Sequence, residues 1–175
     1  MAAMADAQRC AERVAWPSAL AGLALAKAEL ARWSGDTGQA YRQLGIATTM
    51  LDPEQALIRA VTHDLLGYLA DRLDEAREHR VAAFQAASEA GHAPLIARVL
   101  VGIADLAVRG ERYEQAAGLL AASAGVRGLP DRSQPDVARI EQAARHRLGE
   151  PRFAEAMSEG AQASWRELAE ATLAC

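Results

Sequence analysis

Apolar side chains recur along the chain every three or four residues, and short stretches rich in glycine, proline or aspartate separate these runs. This spacing is typical of amphipathic helices. Val, Ile, Thr and Tyr, the residues that favour strands, are too thinly spread to build sheets. The pattern therefore predicts an all-α fold, which we expect to contain about nine helices.

Start and stop signals divide the N-terminal half into four predicted helices. The first covers residues 6–15 and the second residues 18–33, with Pro17 suited to a first helical turn. Asp36 or Thr37 can cap a third helix that reaches residue 50. Asp52 is the expected cap of the fourth helix and Pro53 its first residue.

Two further helices follow with clear boundaries. The fifth is predicted over residues 74–90 and ends at Gly91, and Pro94 opens the sixth. Apolar stripes at helical spacing mark the buried faces of the fourth and sixth helices: Ile58, Val61, Leu65 and Leu69, then Ile96, Val99, Leu100, Ile103 and Leu106.

Short turns between helices of this length predict antiparallel hairpins, and small residues recur within them. Ala40 and Ala76 are 36 positions apart, and Ala76 and Ala116 are 40 apart, each after a turn that contains Gly or Asp. These hairpins resemble tetratricopeptide repeats, in which small residues let two helices approach closely. The resemblance implies a stacked superhelical array, with a generic bundle of hairpins as the alternative.

Residues 110–174 resemble the C-terminal region of large bacterial transcriptional regulators, of the antibiotic-regulator (SARP) type and the ATP-binding LuxR type. The resemblance implies a single tetratricopeptide-like domain over residues 1–175, with looser repeats in 5–109. No phosphate-binding loop or helix-turn-helix is found, so we expect the output domain to be absent from this chain. The residues that carry the resemblance are Ala116, Ala117, Leu119, Leu120, Ala121, Ala122, Arg127, Gly128, Leu148, Gly149, Phe153, Ala156 and Gly160.

Composition narrows the function classes. The 175 residues are 51% hydrophobic and 24% charged, and the net charge of −4 argues against direct nucleic-acid binding. Cys10 and Cys175 lie near opposite ends and form neither a disulfide framework nor a zinc motif, which favours the cytoplasm. The apolar run near residue 20 is too short and interrupted to span a membrane, so we expect no membrane association.

No pattern predicts an enzyme, a metal site or a cofactor. His63, His79, His92 and His146 lie on separate predicted elements without metal-ligand spacing, and we interpret them as solvated or partly buried. In a tetratricopeptide array, partners bind in the groove that the first helix of each hairpin lines. The candidate groove residues are therefore Lys27, Arg59, His63, Asp64, Arg98 and Asp105.

Two stretches of the sequence carry closely spaced charges of both signs. We interpret residues 71–80, which alternate in sign, as the solvated face of the fifth helix. The second stretch, residues 139–152, could hold a phosphate, but surface ion pairs explain it better. Its charged side chains are Arg139, Glu141, Arg145, Arg147, Glu150 and Arg152.

The favoured function is a non-catalytic interaction and sensing scaffold of a transcriptional regulator, which binds a partner protein or peptide and relays this to an output domain. The alternative is a small-molecule receptor with a ligand between helices, near Trp33, Tyr41 and Tyr68. Homodimerisation is a further expectation, should Phe153 and Trp165 leave apolar surface uncovered at the end of the array.

Overall fold

The computed structural model describes residues 6, 17–50, 55–131 and 134–174. These residues form eight helices and no strand, which confirms the all-α prediction, although about nine helices were expected. The helices are α1 (Pro17–Trp33), α2 (Thr37–Thr49), α3 (Ala56–Leu69), α4 (Leu73–Ala90), α5 (Ala93–Arg109), α6 (Tyr113–Arg127), α7 (Pro135–Gln162) and α8 (Trp165–Ala174).

Several helix boundaries follow the predicted signals. Helix α1 begins at Pro17, and the Asp36 carboxylate caps α2 by accepting a hydrogen bond of 2.9 Å from the Gln39 amide. Helix α4 ends at Gly91, whose φ of 64° is in the left-handed region that suits glycine. The helix predicted at 6–15 lies outside the described residues except for Asp6, as do Asp52 and Pro53. Helix α3 begins at Ala56 with Gln55 as its cap residue, so the predicted start of this helix at Pro53 is wrong.

Helix α7 is broken at Gly149. This residue has φ 74° and ψ 160°, a conformation essentially restricted to glycine, and it separates the segments 135–148 and 150–162. Pro151 lies in the first turn of the second segment, where its missing N–H costs no helical hydrogen bond. The break lets both segments of α7 take part in packing against the rest of the fold.

The helices pack mainly against their neighbours in sequence. The most extensive contacts join α1 to α2, α3 to α4, α5 to α6, and α6 to α7, and α4 also packs on α5. The alanines at the repeated positions, Ala40, Ala76 and Ala116, are almost completely buried. Their methyl groups leave room for helices to approach closely, as expected from the sequence.

The main core is built from α4, α5 and α6, with contributions from α3, α7 and α8. All five residues of the apolar stripe in α5 are buried, because neighbouring helices cover it. A second core lies between α1, α2 and α3, and a third joins α6 to α7. None of the described helices combines the length and the apolar character needed to cross a membrane.

Phe153 and Trp165, two aromatic residues of the C-terminal region, pack against the hydrophobic core. Phe153 is 2% exposed and packs with Ala117, Ala144 and others, while Trp165 meets Phe84 edge to face at 6.0 Å between ring centroids. Homodimerisation was expected if apolar surface around Phe153 and Trp165 stayed uncovered. Helix α6 and both parts of α7 cover the Phe153 ring, whereas Trp165 is only half-buried, so homodimerisation stays a prediction.

Candidate functional site

A buried ion pair between α3 and α4 lies at the centre of the candidate site. The side chains of Asp64 and Arg80 are both 0% exposed and their charged groups are in contact. Arg80 Nη1 also donates a hydrogen bond of 2.8 Å to the Asp64 carbonyl oxygen. Two charges removed from water compensate each other here, as buried ions must.

Two glycines make room for the Arg80 side chain. A methyl group at Gly67 of α3 would lie 2.8 Å from Arg80 Nε, and one at Gly102 of α5 would overlap both Arg80 and Asp64. The guanidinium therefore enters from α4 into a space that exists only because α3 and α5 lack side chains at these positions. Close helix packing and the buried charge depend on the same two residues.

From Asp64 the ion pairs continue to α5 and α1. Arg98 Nε is 2.9 Å from Asp64 Oδ2, and Arg98 Nη2 is 2.7 Å from Glu29 Oε1. Burial acts to lower the pKa of Arg98, but the carboxylates of Asp64 and Glu29 outweigh it and raise the pKa above its ordinary value. Arg98 is therefore a permanent cation, held by two helices.

In the other direction the ion pairs reach α7 and return to α1. Arg80 Nη2 is 3.7 Å from Asp105 Oδ2, and Arg139 Nη2 lies 2.6 Å from Asp105 Oδ1 and 3.1 Å from Asp136 Oδ1. Arg32 makes two hydrogen bonds to the Asp136 carboxylate, of 2.6 and 3.2 Å. This fork-like pairing fixes the geometry as well as the charge.

These groups form one alternating series, which we name the charge network. Four carboxylates and four guanidiniums balance each other formally, and the series both starts and ends on α1. Its members, in order of contact, are Glu29, Arg98, Asp64, Arg80, Asp105, Arg139, Asp136 and Arg32.

Tyr68 of α3 lies between two guanidiniums of the charge network. The Arg32 and Arg80 Cζ atoms are 4.1 and 4.0 Å from its ring centroid, which is the arrangement of a double cation–π contact. Burial, followed by the nearby Asp64 carboxylate, raises the pKa of Tyr68 well above its ordinary value. The phenol therefore stays neutral and serves as a packed spacer between the cations.

A small cleft opens beside the charge network. Its volume is about 190 Å³, and it lies between α1, the start of α5 and the segment that connects α6 to α7. Trp33 is 40% exposed at this cleft, and its indole Nε1 donates a hydrogen bond of 3.2 Å to Asp136. The lining residues are Glu29, Trp33, Pro94, Arg98, Arg127, Asp131 and Gln134.

The structure brings together three of the six residues that the sequence suggested for a groove. Asp64, Arg98 and Asp105 belong to the charge network, with Asp64 and Asp105 buried and Arg98 also part of the cleft wall. Asp64 and Asp105 consequently offer little surface to a partner, and they act by holding other side chains. Whether these residues take part in binding stays a prediction.

The other three suggested residues lie apart from the charge network. Lys27 lines a hollow of about 140 Å³ between α1 and α2. Arg59 forms an ion pair with Glu89, and His63 contacts His79 on α4, with 3.2 Å between their Nδ1 atoms. The sequence did not indicate that the two histidines meet, because they are 16 positions apart.

Arg80 corrects the interpretation of residues 71–80 as a solvated face, since this residue is completely buried. A signal was present in the sequence: Ala76, Arg80, Ala83 and Ala87 follow the spacing of one helical face, and all four are buried. Burial of the three alanines places Arg80 inside by periodicity. The stripe was missed because charged side chains of both signs surround Arg80 in the sequence.

The basic stretch of α7 divides between two roles. Arg145 pairs with Glu141 and Glu150, and Arg152 with Glu114, as the surface ion-pair interpretation expected. Arg139 instead joins the charge network, because one turn of helix brings it beside Asp136.

The three aromatic residues considered for a ligand pocket have different surroundings. Trp33 borders the cleft, Tyr68 is packed between guanidiniums, and the Tyr41 hydroxyl on α2 donates a hydrogen bond of 3.3 Å to the Leu69 carbonyl.

Within the described parts of the chain, no three His, Cys, Asp or Glu side chains are placed to hold a metal ion together. Comparisons with known protein families, characterised proteins and solved structures find no match to this chain.

Proposed function

We propose that the protein is a non-catalytic interaction scaffold whose hairpins stack as a tetratricopeptide-like array and bind a segment of a partner protein. The observation that carries the proposal is the serial contact of alternate helices: α1 with α3, α3 with α5, and α5 with α7. In a stacked array, such helices line one continuous groove while their partners form the outer layer.

The charge network supports this proposal through its position. Seven of its eight members lie on α1, α3, α5 and α7, and only Arg80 reaches in from α4. Each of its four carboxylates is engaged by at least one guanidinium, which is what side chains that hold helices together require. The network instead fixes the spacing of the groove helices, so that a bound segment meets a preorganised surface.

Trp33 supplies the anchor point that we propose for the partner. It is a partly exposed aromatic side chain at a cleft with a polar rim, and such residues dominate binding energy in many interfaces. In the regulators that residues 110–174 resemble, a region of this kind is accompanied by output domains. We extend the proposal to sensing in such a regulator, with the groove as the input site.

A peptide selection tests the proposal. Peptides from a random displayed library are selected on the immobilised full chain, and their affinities are measured by fluorescence anisotropy. Trp33→Ala should weaken binding at least about tenfold, as expected of an anchoring aromatic residue. Tyr41→Ala is the matched control, because Tyr41 is 44% exposed on α2, a helix of the proposed outer layer, and it should leave affinity unchanged.

Failure to enrich any peptide, or equal loss of affinity in both variants, would argue against the groove as the binding site. Circular dichroism of each variant separates loss of the interface from loss of the fold. Sedimentation equilibrium at high micromolar concentration tests a second copy as the partner. A dimer that Trp33→Ala dissociates would identify that copy as the occupant of the groove.

A further inference from the structure

We propose that His63 and His79 together bind a divalent transition-metal ion, of the type that prefers imidazole nitrogen: Cu²⁺, Ni²⁺ or Zn²⁺. His63 is on α3 and His79 on α4, the two helices of one hairpin. Their Nδ1 atoms are 3.2 Å apart and their ring centroids 5.4 Å apart, at an interplanar angle of 39°. The two histidines belong neither to the charge network nor to the cleft at Trp33, so this proposal does not depend on the proposed function.

The separation of the two nitrogens fits a shared metal ion. Metal–imidazole bonds are about 2.0–2.1 Å long, so two nitrogens 3.2 Å apart subtend about 100° at a common metal. That angle lies between the square-planar geometry of Cu²⁺ or Ni²⁺ and the tetrahedral geometry of Zn²⁺. Small rotations of the two rings would direct both lone pairs at the ion.

The hairpin holds both ligands in advance. Helices α3 and α4 pack extensively, and both histidines are only partly exposed, so the backbone positions are set before an ion arrives. When both rings are neutral, binding needs only a tautomer change in the ring whose Nδ1 carries the proton. Its proton moves to Nε2, and no proton is released overall.

The surroundings predict an open coordination sphere. No further His, Cys, Asp or Glu of the described residues completes a three-ligand group there, so water or a ligand from a partner occupies the remaining positions. The nearby cation Arg59 is paired with Glu89, which offsets its repulsion of a metal ion. Affinity should follow the usual order for imidazole sites, with Cu²⁺ strongest, and Mg²⁺ should not bind.

Calorimetric titration of the untagged full chain tests the site, using CuSO₄, NiCl₂, ZnCl₂ and MgCl₂ in turn. A Cys10→Ser, Cys175→Ser background removes the two thiols as competing ligands. His63→Gln and His79→Gln should each lower Cu²⁺ affinity at least about tenfold, because loss of a direct ligand should weaken binding at least as much as loss of an outer-shell partner does. His92→Gln and His146→Gln are matched controls on exposed positions and should bind as the parent does.

Two further readouts decide the outcome. Saturating Cu²⁺ should raise the unfolding temperature of the parent but not of the His63→Gln variant, because only the native hairpin presents both ligands. The electron paramagnetic resonance spectrum of bound Cu²⁺ should show two equivalent nitrogen ligands. Absence of binding, or equal binding by all four variants, would leave the two histidines as a hydrogen-bonded pair only and overturn the proposal.

Discussion

Arg80 places a guanidinium where water does not reach it, and Asp64 is the carboxylate that compensates its charge. Such a pair adds little net stability relative to apolar side chains of the same volume, since both ions lose their hydration. Removing only one partner is strongly destabilising, because it leaves the other charge buried without a counterion.

Asp64→Ala should therefore lower the free energy of unfolding by about 3–5 kcal/mol, measured by urea denaturation at pH 7. It removes the carboxylate that Arg80 and Arg98 share. Asp74→Ala is the control, because Asp74 forms an exposed ion pair with Arg72 in the first turn of α4, and its loss should cost no more than about 1 kcal/mol. Similar losses in both variants would show that burial of the pair is unimportant.

At the scale of helices, replacing glycine by alanine should have opposite effects on stability at two positions, Gly102 and Gly22. Gly102 of α5 faces Arg80 and Asp64, and a methyl group there has no room. Gly22 of α1 is exposed and has no neighbouring atom within 4 Å of an added methyl. The same substitution therefore tests close packing at one helix and intrinsic helix propensity at the other.

Gly102→Ala should destabilise the fold by about 1–3 kcal/mol, as overpacking of a core does. Gly22→Ala should stabilise it by about 0.5–1 kcal/mol, because alanine loses less backbone entropy than glycine in a helix. Thermal and urea unfolding of the two variants provide the comparison. A stabilising Gly102→Ala would mean that Arg80 can leave its position between α3 and α5 without cost.

The helices and their boundaries could largely be predicted from sequence, because caps such as Asp36 and stops such as Gly91 act locally. The break at Gly149 could not be predicted from glycine alone, since Gly102 and Gly118 lie within unbroken helices. Of the charge network, the sequence suggested Asp64, Arg98 and Asp105 as charged positions on groove helices. It did not show which side chains they meet, because their partners are up to 69 positions away.

At the scale of the whole molecule, the charge network joins helices from the first described hairpin to α7, and this couples stability to pH. Burial alone would raise the pKa of Asp136, but hydrogen bonds from Arg32 and other donors lower it below the ordinary value of 3.8. A lowered pKa in the folded state means that the stabilising effect is present above pH 3.8 and is lost as the pH falls through the folded value.

The free energy of unfolding should therefore decrease on acidification below about pH 4. Arg32→Met removes the cation with two hydrogen bonds to Asp136, so it should lower stability at pH 7 and make the acid decrease shallower. Urea denaturation at pH 7, 4 and 3 measures both effects. Parallel pH profiles for the variant and the parent would show that Asp136 does not contribute through Arg32.

Glu29 and Arg32 are one helical turn apart on α1, and they are the first and last members of the charge network. Its other members come from later in the sequence. In most repeat proteins a unit can be deleted at the cost of its own interfaces. Excision of residues 17–50 would here remove one counterion from Arg98, 69 positions away, and one from Asp136, 104 positions away. The charge network thus ties residues 17–50 to α5 and α7, so removal of this hairpin would disturb helices that are distant from it in the sequence.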